Sequence, residues 1–337
     1  MSSSVVSLDS IIDRVNIMRK QEDGPYLYQS YLLSTDDIKL NVAWREKITH
    51  WSYNVVDHFE LSREVVAISL SLFDRFLATR GNKCSGNLAL LTSLTTLHLA
   101  IKVHDTKKIR LSTLANLSRG QFGPSHIEEM EWVILKALNW KLHPPTSYSF
   151  IFHVLLFLPQ EANAIIRKDI FELSRYLTEL AACDSYLVPE KASTIAFASI
   201  LHVLDDISYS VLPAGLREKF LRELLKKVGL YHRAPEVIRT RERIASMFSV
   251  NSSQRIHSWN PDGTTDEETK SITTNGSSGS LTHSIESHGS NNRKRSNSSD
   301  TKVNFRFCAS PISRRITSSS PIGRSRVTSA PLVTGIQ

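Results

Sequence analysis

Residues 62–78 constrain this chain more than any other stretch. Val65, Val66, Ile68, Leu70, Leu72, Phe73, Phe76 and Leu77 place apolar side chains on every side of a 3.6-residue period. A helix with no polar side lies inside a bundle rather than on its surface. The rest of the domain must therefore be helices arranged around this one. Ser62, followed by Arg63 and Glu64, reads as its start.

The flanking segments supply such partners. Trp44, Ile48, Trp51, Val55 and Phe59 follow one helix face. A helix over 87–104 carries a stripe of Leu90, Leu94, Leu97 and Ile101, and a short helix begins near Leu111. Ser125 and Glu128 form a Ser-x-x-Glu capping box before the stripe Ile127, Met130, Ile134 and Leu138. Five helices with a buried centre make an all-α unit over 36–145, preceded by a helical extension at 1–35. Beyond Pro144-Pro145 a second helical set covers 146–250, with candidates at 146–158, 162–182, 189–206, 213–228 and 235–249. Pro189, Pro213 and Pro235 sit at or near helix starts, where proline is tolerated.

Composition changes after residue 250. The segment 251–337 is rich in Ser, Thr, Asn and Gly and cannot bury enough apolar surface to offset its chain entropy, so a disordered tail is expected. Eleven Lys/Arg and six Asp/Glu in that segment supply +5 of the total net charge of +8. The folded part is therefore only mildly basic, which weakens the case for nucleic-acid binding. Cys84, Cys183 and Cys308 lie far apart and form no CxxC pair or Cys/His cluster, so neither a disulfide framework, a metal site nor a cofactor is indicated. Met1 to Ser10 lacks the pattern of a signal peptide, and no apolar run is long enough to span a membrane.

The residue strings from Trp44 to Thr146 resemble the cyclin family. They are Trp44-Arg45 with Trp51, Phe73-Asp74-Arg75-Phe76-Leu77, Leu91, Ala100-Ile101-Lys102, Met130-Glu131, Ile134-Leu135-Lys136-Ala137-Leu138-Asn139-Trp140 and Pro145-Thr146. The resemblance implies two tandem five-helix cyclin folds. It also implies a non-catalytic regulatory subunit that binds and activates a cyclin-dependent protein kinase, in cell-cycle control, in nucleus and cytoplasm. It pairs Asp74 with Arg45 as a structural ion pair, since a lone carboxylate in an apolar helix is costly. It assigns kinase binding to Leu91, Lys102 and Glu131. Lys102 and Glu131 lie beside their apolar stripes and should reach a rim, and Leu91 is three turns before Lys102 on the same face. The plain alternative for Lys102 and Glu131 is a solvated pair or a mutual salt bridge.

Two departures stand out. Many cyclins carry a substrate-docking patch of Met-Arg-Ala-Ile-Leu and a Trp on the first helix of the box; here Trp44, Ile48 and Trp51 remain, among Glu46, Lys47 and Asn54. Docking of Arg-x-Leu segments from kinase substrates or inhibitors should then be weak. The basic loop Lys107, Lys108 and Arg110 follows Lys102 and is either a selector of a different kinase or a solvated loop. In the tail, Ser310-Pro311 and Ser320-Pro321 are minimal sites for proline-directed kinases, and Arg293-Lys294-Arg295 is a short candidate import signal. Two other classes compete. One is a transcription-associated cyclin-fold adaptor that binds nucleic acid. The other is a helical metal-dependent phosphohydrolase built on His104-Asp105 with His98, although no complete ligand set is found. No small-molecule substrate is expected.

Overall fold

A computed structural model describes residues 7–28, 32, 38–80 and 85–258, with side chains from 42 onward in the first long helix and up to 248 in the last. Among the described residues there are eleven α-helices, one 3-10 turn and no strand. The helices are α1 (Leu8–Asp23), α2 (Ile38–His58), α3 (Glu64–Ala78), α4 (Gly86–His104), α5 (Leu111–Leu117) and α6 (Pro124–Ala137). They continue with α7 (Ser147–Leu155), α8 (Ala164–Cys183), α9 (Ala192–Asp206), α10 (Ala214–Val228) and α11 (Pro235–Ser258). The last helix runs eight residues past the expected boundary at 250. Ser310, Ser320 and residues 293–295 lie outside the described residues.

Helices α2, α3, α4 and α6 share one apolar core, with α5 joining α6 through Leu114, Ala115 and Ile127. Helices α7 to α11 enclose a second core, and α1 contributes Ile11, Val15 and Met18 to it. The N-terminal helix thus serves the second core although it precedes the first in sequence. Gly229 ends α10 in the left-handed region at φ 66°, and Arg19 of α1 donates to the neighbouring Val228 carbonyl.

Helix α3 is buried from Val65 to Leu77 apart from Ala67 and Ser71, as an all-apolar helix requires. Helix α4 is buried almost as fully, which its sequence conceals. Thr92, Ser93, Thr95 and Thr96 read as a polar side yet are all buried. They are small enough to allow close helix crossings. Ser93 Oγ bonds the Leu90 carbonyl at 2.8 Å and Thr95 Oγ1 the Leu91 carbonyl at 2.8 Å within the helix, while Thr96 Oγ1 accepts from Ser69 Oγ of α3 at 3.2 Å.

Three local expectations are corrected. Ser62 does not cap α3; Arg63 holds the N-cap position without a side-chain bond. The start of α6 is Pro124, not Ser125, and the His126 ring accepts from the Gly123 N–H at 3.0 Å in place of the Ser125–Glu128 box. In α2 the buried face is turned by about one residue. Arg45, Ile48, Thr49, Ser52, Val55 and Val56 are buried, while Trp44, Trp51 and Phe59 are half-buried. The reason is Arg45, which points inward and carries the polar residues one and two turns later with it.

Candidate functional site

Two charged clusters occupy the α2–α6 bundle, one inside and one on its rim. Inside, Arg45 from α2 meets Asp74 from α3, with Nη2 to Oδ2 at 3.0 Å and Nε to Oδ1 at 3.0 Å. Both side chains are at most 5 % exposed. Arg45 Nη1 also donates to the Ala182 carbonyl at the end of α8 at 2.9 Å, and the Tyr28 hydroxyl reaches Asp74 Oδ2 at 3.5 Å and the Val188 carbonyl at 3.3 Å. This cluster ties the two helical sets together. Arg63 adds a second tie, with Nε 2.9 Å from Glu179 Oε2 of α8. Burial pushes the Tyr28 hydroxyl pKa far up, with Asp74 adding to the rise, so the phenol stays a proton donor.

On the rim, Lys102 of α4 and Glu131 of α6 meet with Nζ to Oε1 at 2.7 Å. Lys102 is 55 % exposed and Glu131 only 14 %. The carboxylate is thus mostly enclosed, while the ammonium that pairs with it faces solvent. His98, one turn before Lys102, brings Nδ1 to 3.5 Å from Glu131 Oε2, an ion-pair distance outside hydrogen-bond geometry. Burial lowers the His98 pKa, which Glu131 opposes and Lys102 reinforces. Sequence reasoning considered His98 only as a metal ligand; its place four residues before Lys102 on one face was the available signal.

Next to the pair in sequence stand exposed apolar side chains that periodicity did not single out, Val103 after Lys102 and Trp132 and Val133 after Glu131. Val103, Trp132, Val133 and Trp140 are all exposed by more than a third. The Trp132 and Trp140 rings stack edge to face at 5.9 Å, and Lys136 lies over Trp132 at 5.7 Å. The signal was present: Trp132 and Val133 fall off the stripe that α6 buries. Leu91 is half-buried, packed between the main core and the Leu114–Ile127 cluster. It lies on the face of α4 that Lys102 continues, but behind the rim rather than on it.

The other candidates are placed differently. Ile48 is 4 % exposed and belongs to the core, and Trp51 packs on that core half-buried. Trp44 lies over the start of α4, where a Cβ on Gly86 would come within 3.2 Å of its ring. Of the three, Trp44 and Trp51 are partly exposed and Ile48 is buried between them. The basic loop is used internally in part. Lys108 Nζ donates to the Lys102 carbonyl at 2.9 Å, capping α4, and Lys107 Nζ lies 3.2 Å from Glu60 Oε2. His104 Nε2 bonds the Leu142 carbonyl at 2.8 Å, whereas Asp105 accepts from the Ser62 and Lys107 backbone N–H groups at 2.9 Å each. These two residues and His98 are thus committed to separate partners. Among the described residues no group of three or more His, Cys, Asp or Glu is arranged to hold a metal ion, and no helix is long and apolar enough to cross a membrane.

The family model described as "Cyclin, N-terminal domain" matches residues 13–143. Cyclin-D3-3 of Arabidopsis thaliana is 29% identical over 202 residues, which is 57% of this chain and 51% of the relative. The G1/S-specific cyclin-E1 of Gallus gallus is 28% identical over 202 residues, 57% of this chain and 44% of the relative. The G2/mitotic-specific cyclin-B2 of Rana japonica is 26% identical over 192 residues, covering 56% and 46%. The chain spans about half the length of the curated relatives it matches. Among solved structures, a viral cyclin from herpesvirus saimiri superposes with a TM-score of 0.52 at 18% identity, over 72% of this chain and 98% of that one. At that identity the likeness speaks to the fold alone.

Proposed function

Since this chain belongs to the cyclin family, we propose that it is a non-catalytic regulatory subunit that binds and activates a cyclin-dependent protein kinase, in control of the cell cycle, in nucleus and cytoplasm. One observation carries the reading: a mostly buried carboxylate, Glu131, paired at 2.7 Å with the exposed Lys102, on two helices that also expose the apolar side chains of Val103, Trp132 and Val133. Burying such a surface supplies the association free energy, and the charged pair fixes register.

Kinase activity requires a helix glutamate to pair with the ATP-binding lysine. A partner that binds only the conformation with that helix turned inward shifts the population toward the active state. Lys102 and Glu131 offer a donor and an acceptor to backbone groups on a docking helix, and exposed apolar side chains of α4 and α6 offer it contact area. The cell-cycle assignment draws on the relatives named for G1/S and for G2/mitosis. Phosphorylation of Ser310 and Ser320 belongs to the same proposal and would add about −1.5 to −2 charge each to the basic tail.

The test is recovery of kinases on the immobilised full chain from extract of its own cells, followed by assay of the recovered activity. The chain with both Lys102→Ala and Glu131→Ala should lose the kinase. Full retention by that double variant would sink the assignment. A salt-dependent shift of duplex DNA by the same preparation would instead favour the adaptor reading.

A further inference from the structure

Helix α3 ends against the turn that follows α6, and an open cleft of about 360 Å³ lies there. Arg75, in the last turn of α3, lines it and is only 6 % exposed. Its Nη1 donates to the Lys141 carbonyl at 2.9 Å, and its guanidinium carbon sits 4.7 Å from the centre of the Tyr26 ring. No carboxylate among the described residues pairs with it, for its chain neighbour Asp74 is turned to Arg45. Burial lowers the Arg75 pKa, and only Tyr26 and Tyr28 oppose it.

An internal role accounts for part of this. Arg75 clamps the turn through one carbonyl, and the C-terminus of α3 offers it about half a negative charge. No carboxylate among the described residues shares its charge, and the residue lines the open cleft. The other wall residues deepen the imbalance. Lys141 and Asn139, both exposed, also line it, and among the described residues no Asp or Glu does. Asn139 sits in the left-handed region at φ 50°, a conformation that Asn and Asp tolerate better than most residues. Leu27, 65 % exposed, and the methyl groups of Ala78 and Ala137 form an apolar wall beside the charges.

We propose that this cleft is an oxyanion site that takes the phosphate of a phosphorylated serine or threonine side chain in a peptide. Two cationic residues with no carboxylate beside them among the described residues match the charge of about −1.5 to −2 that such a phosphate carries. The planar fork of Arg75 suits two phosphate oxygens at once. The wall of Leu27, Ala78 and Ala137 gives contact to peptide atoms next to the phosphate, which a free ion lacks. The proposal is independent of the kinase reading, since neither Lys102 nor Glu131 lines the cleft.

The experiment titrates the full-length chain with a short phosphoserine peptide, its unphosphorylated twin, inorganic phosphate and ATP, followed by NMR and by melting temperature. Variants at exposed positions keep the fold: Lys141→Glu, and Asn139→Asp, which places a carboxylate at the cleft edge. The phosphopeptide should bind and raise the melting point, and the unphosphorylated twin should do neither. Each variant should weaken phosphopeptide binding roughly tenfold or more, and Asn139→Asp should bring the peptide-induced rise in melting point close to zero. Equal binding of the two peptides, or unchanged binding by both variants, overturns the site. Binding of inorganic phosphate or ATP as tight as that of the phosphopeptide overturns its assignment to a peptide.

Discussion

Arg45 and Arg75 lie on adjoining helices of one bundle, both nearly buried, yet one grips the Asp74 carboxylate at 3.0 Å and the other meets no carboxylate among the described residues. Asp74 and Arg75 are neighbours in the chain and about 100° apart around α3, so they address different surroundings. Asp74 turns to α2, while Arg75 turns to the edge where α6 ends.

The first prediction concerns the inner pair. Arg45→Ala leaves Asp74 buried without its main counter-charge and removes the bond to the Ala182 carbonyl. Urea unfolding should show a loss of about 3–5 kcal/mol. Replacing both Arg45 and Asp74 by leucine should cost less than Arg45→Ala alone, because no uncompensated charge remains. A double variant as unstable as the single one would contradict this.

The rim pair should behave in the opposite way. Lys102 is more than half exposed, so its attraction to Glu131 is screened. Lys102→Ala should change the unfolding free energy by no more than about 1 kcal/mol while lowering recovery of the kinase. A large loss of stability with intact recovery would reverse the two roles.

His98 provides a pH dependence. Burial lowers its folded pKa below the ordinary value near 6.5. Between the folded and unfolded pKa values the unfolded chain binds more protons, so stability rises with pH there and is lost as pH falls from about 6.5 through the folded pKa. The groups facing His98 are Glu131, Lys102 and Glu128. His98→Gln should flatten the slope of melting temperature against pH in that window, and an unchanged slope would remove His98 from the account. His104 and His232, also lowered by burial, leave a residual slope.

Trp140 tests whether its exposed ring serves the surface or the fold. It is 58 % exposed and adopts φ 59°, which costs a bulky residue about 1–2 kcal/mol that glycine does not bear. Trp140→Gly should therefore leave the melting temperature unchanged or raised, while kinase recovery falls. Lowered stability with unchanged recovery would assign the ring to the fold.

Much of the architecture is legible in the sequence because helical periodicity is local. The all-apolar run 62–78 forces a central helix, the stripes of the α4 and α6 segments name residues that are in fact buried, and the helix ends fall within a few residues of the prolines and small polar residues that mark them. Lys102 and Glu131 were legible as rim residues for the same reason, since each sits beside a stripe. Periodicity could not reveal that Thr92, Ser93, Thr95 and Thr96 are buried. Small hydroxyl residues read as surface until another helix crosses them, with Ser93 and Thr95 bonded to carbonyls of their own helix and Thr96 to Ser69 of α3.

Which charge meets which partner was decided only by the tertiary structure. Arg45 finds Asp74 at a separation of 29 residues and the Ala182 carbonyl at 137, and by pointing inward it turns the buried face of α2 away from Trp44 and Trp51. Among the described residues Arg75 meets no counter-charge, because the turn after α6 presents a carbonyl and a lysine there rather than a carboxylate. The sequence by itself determined the helices, their order and the helix that must lie at the centre. The pairing of the charges followed from the crossing of those helices, because an ion's partner depends on distance and burial in space, which no local pattern encodes.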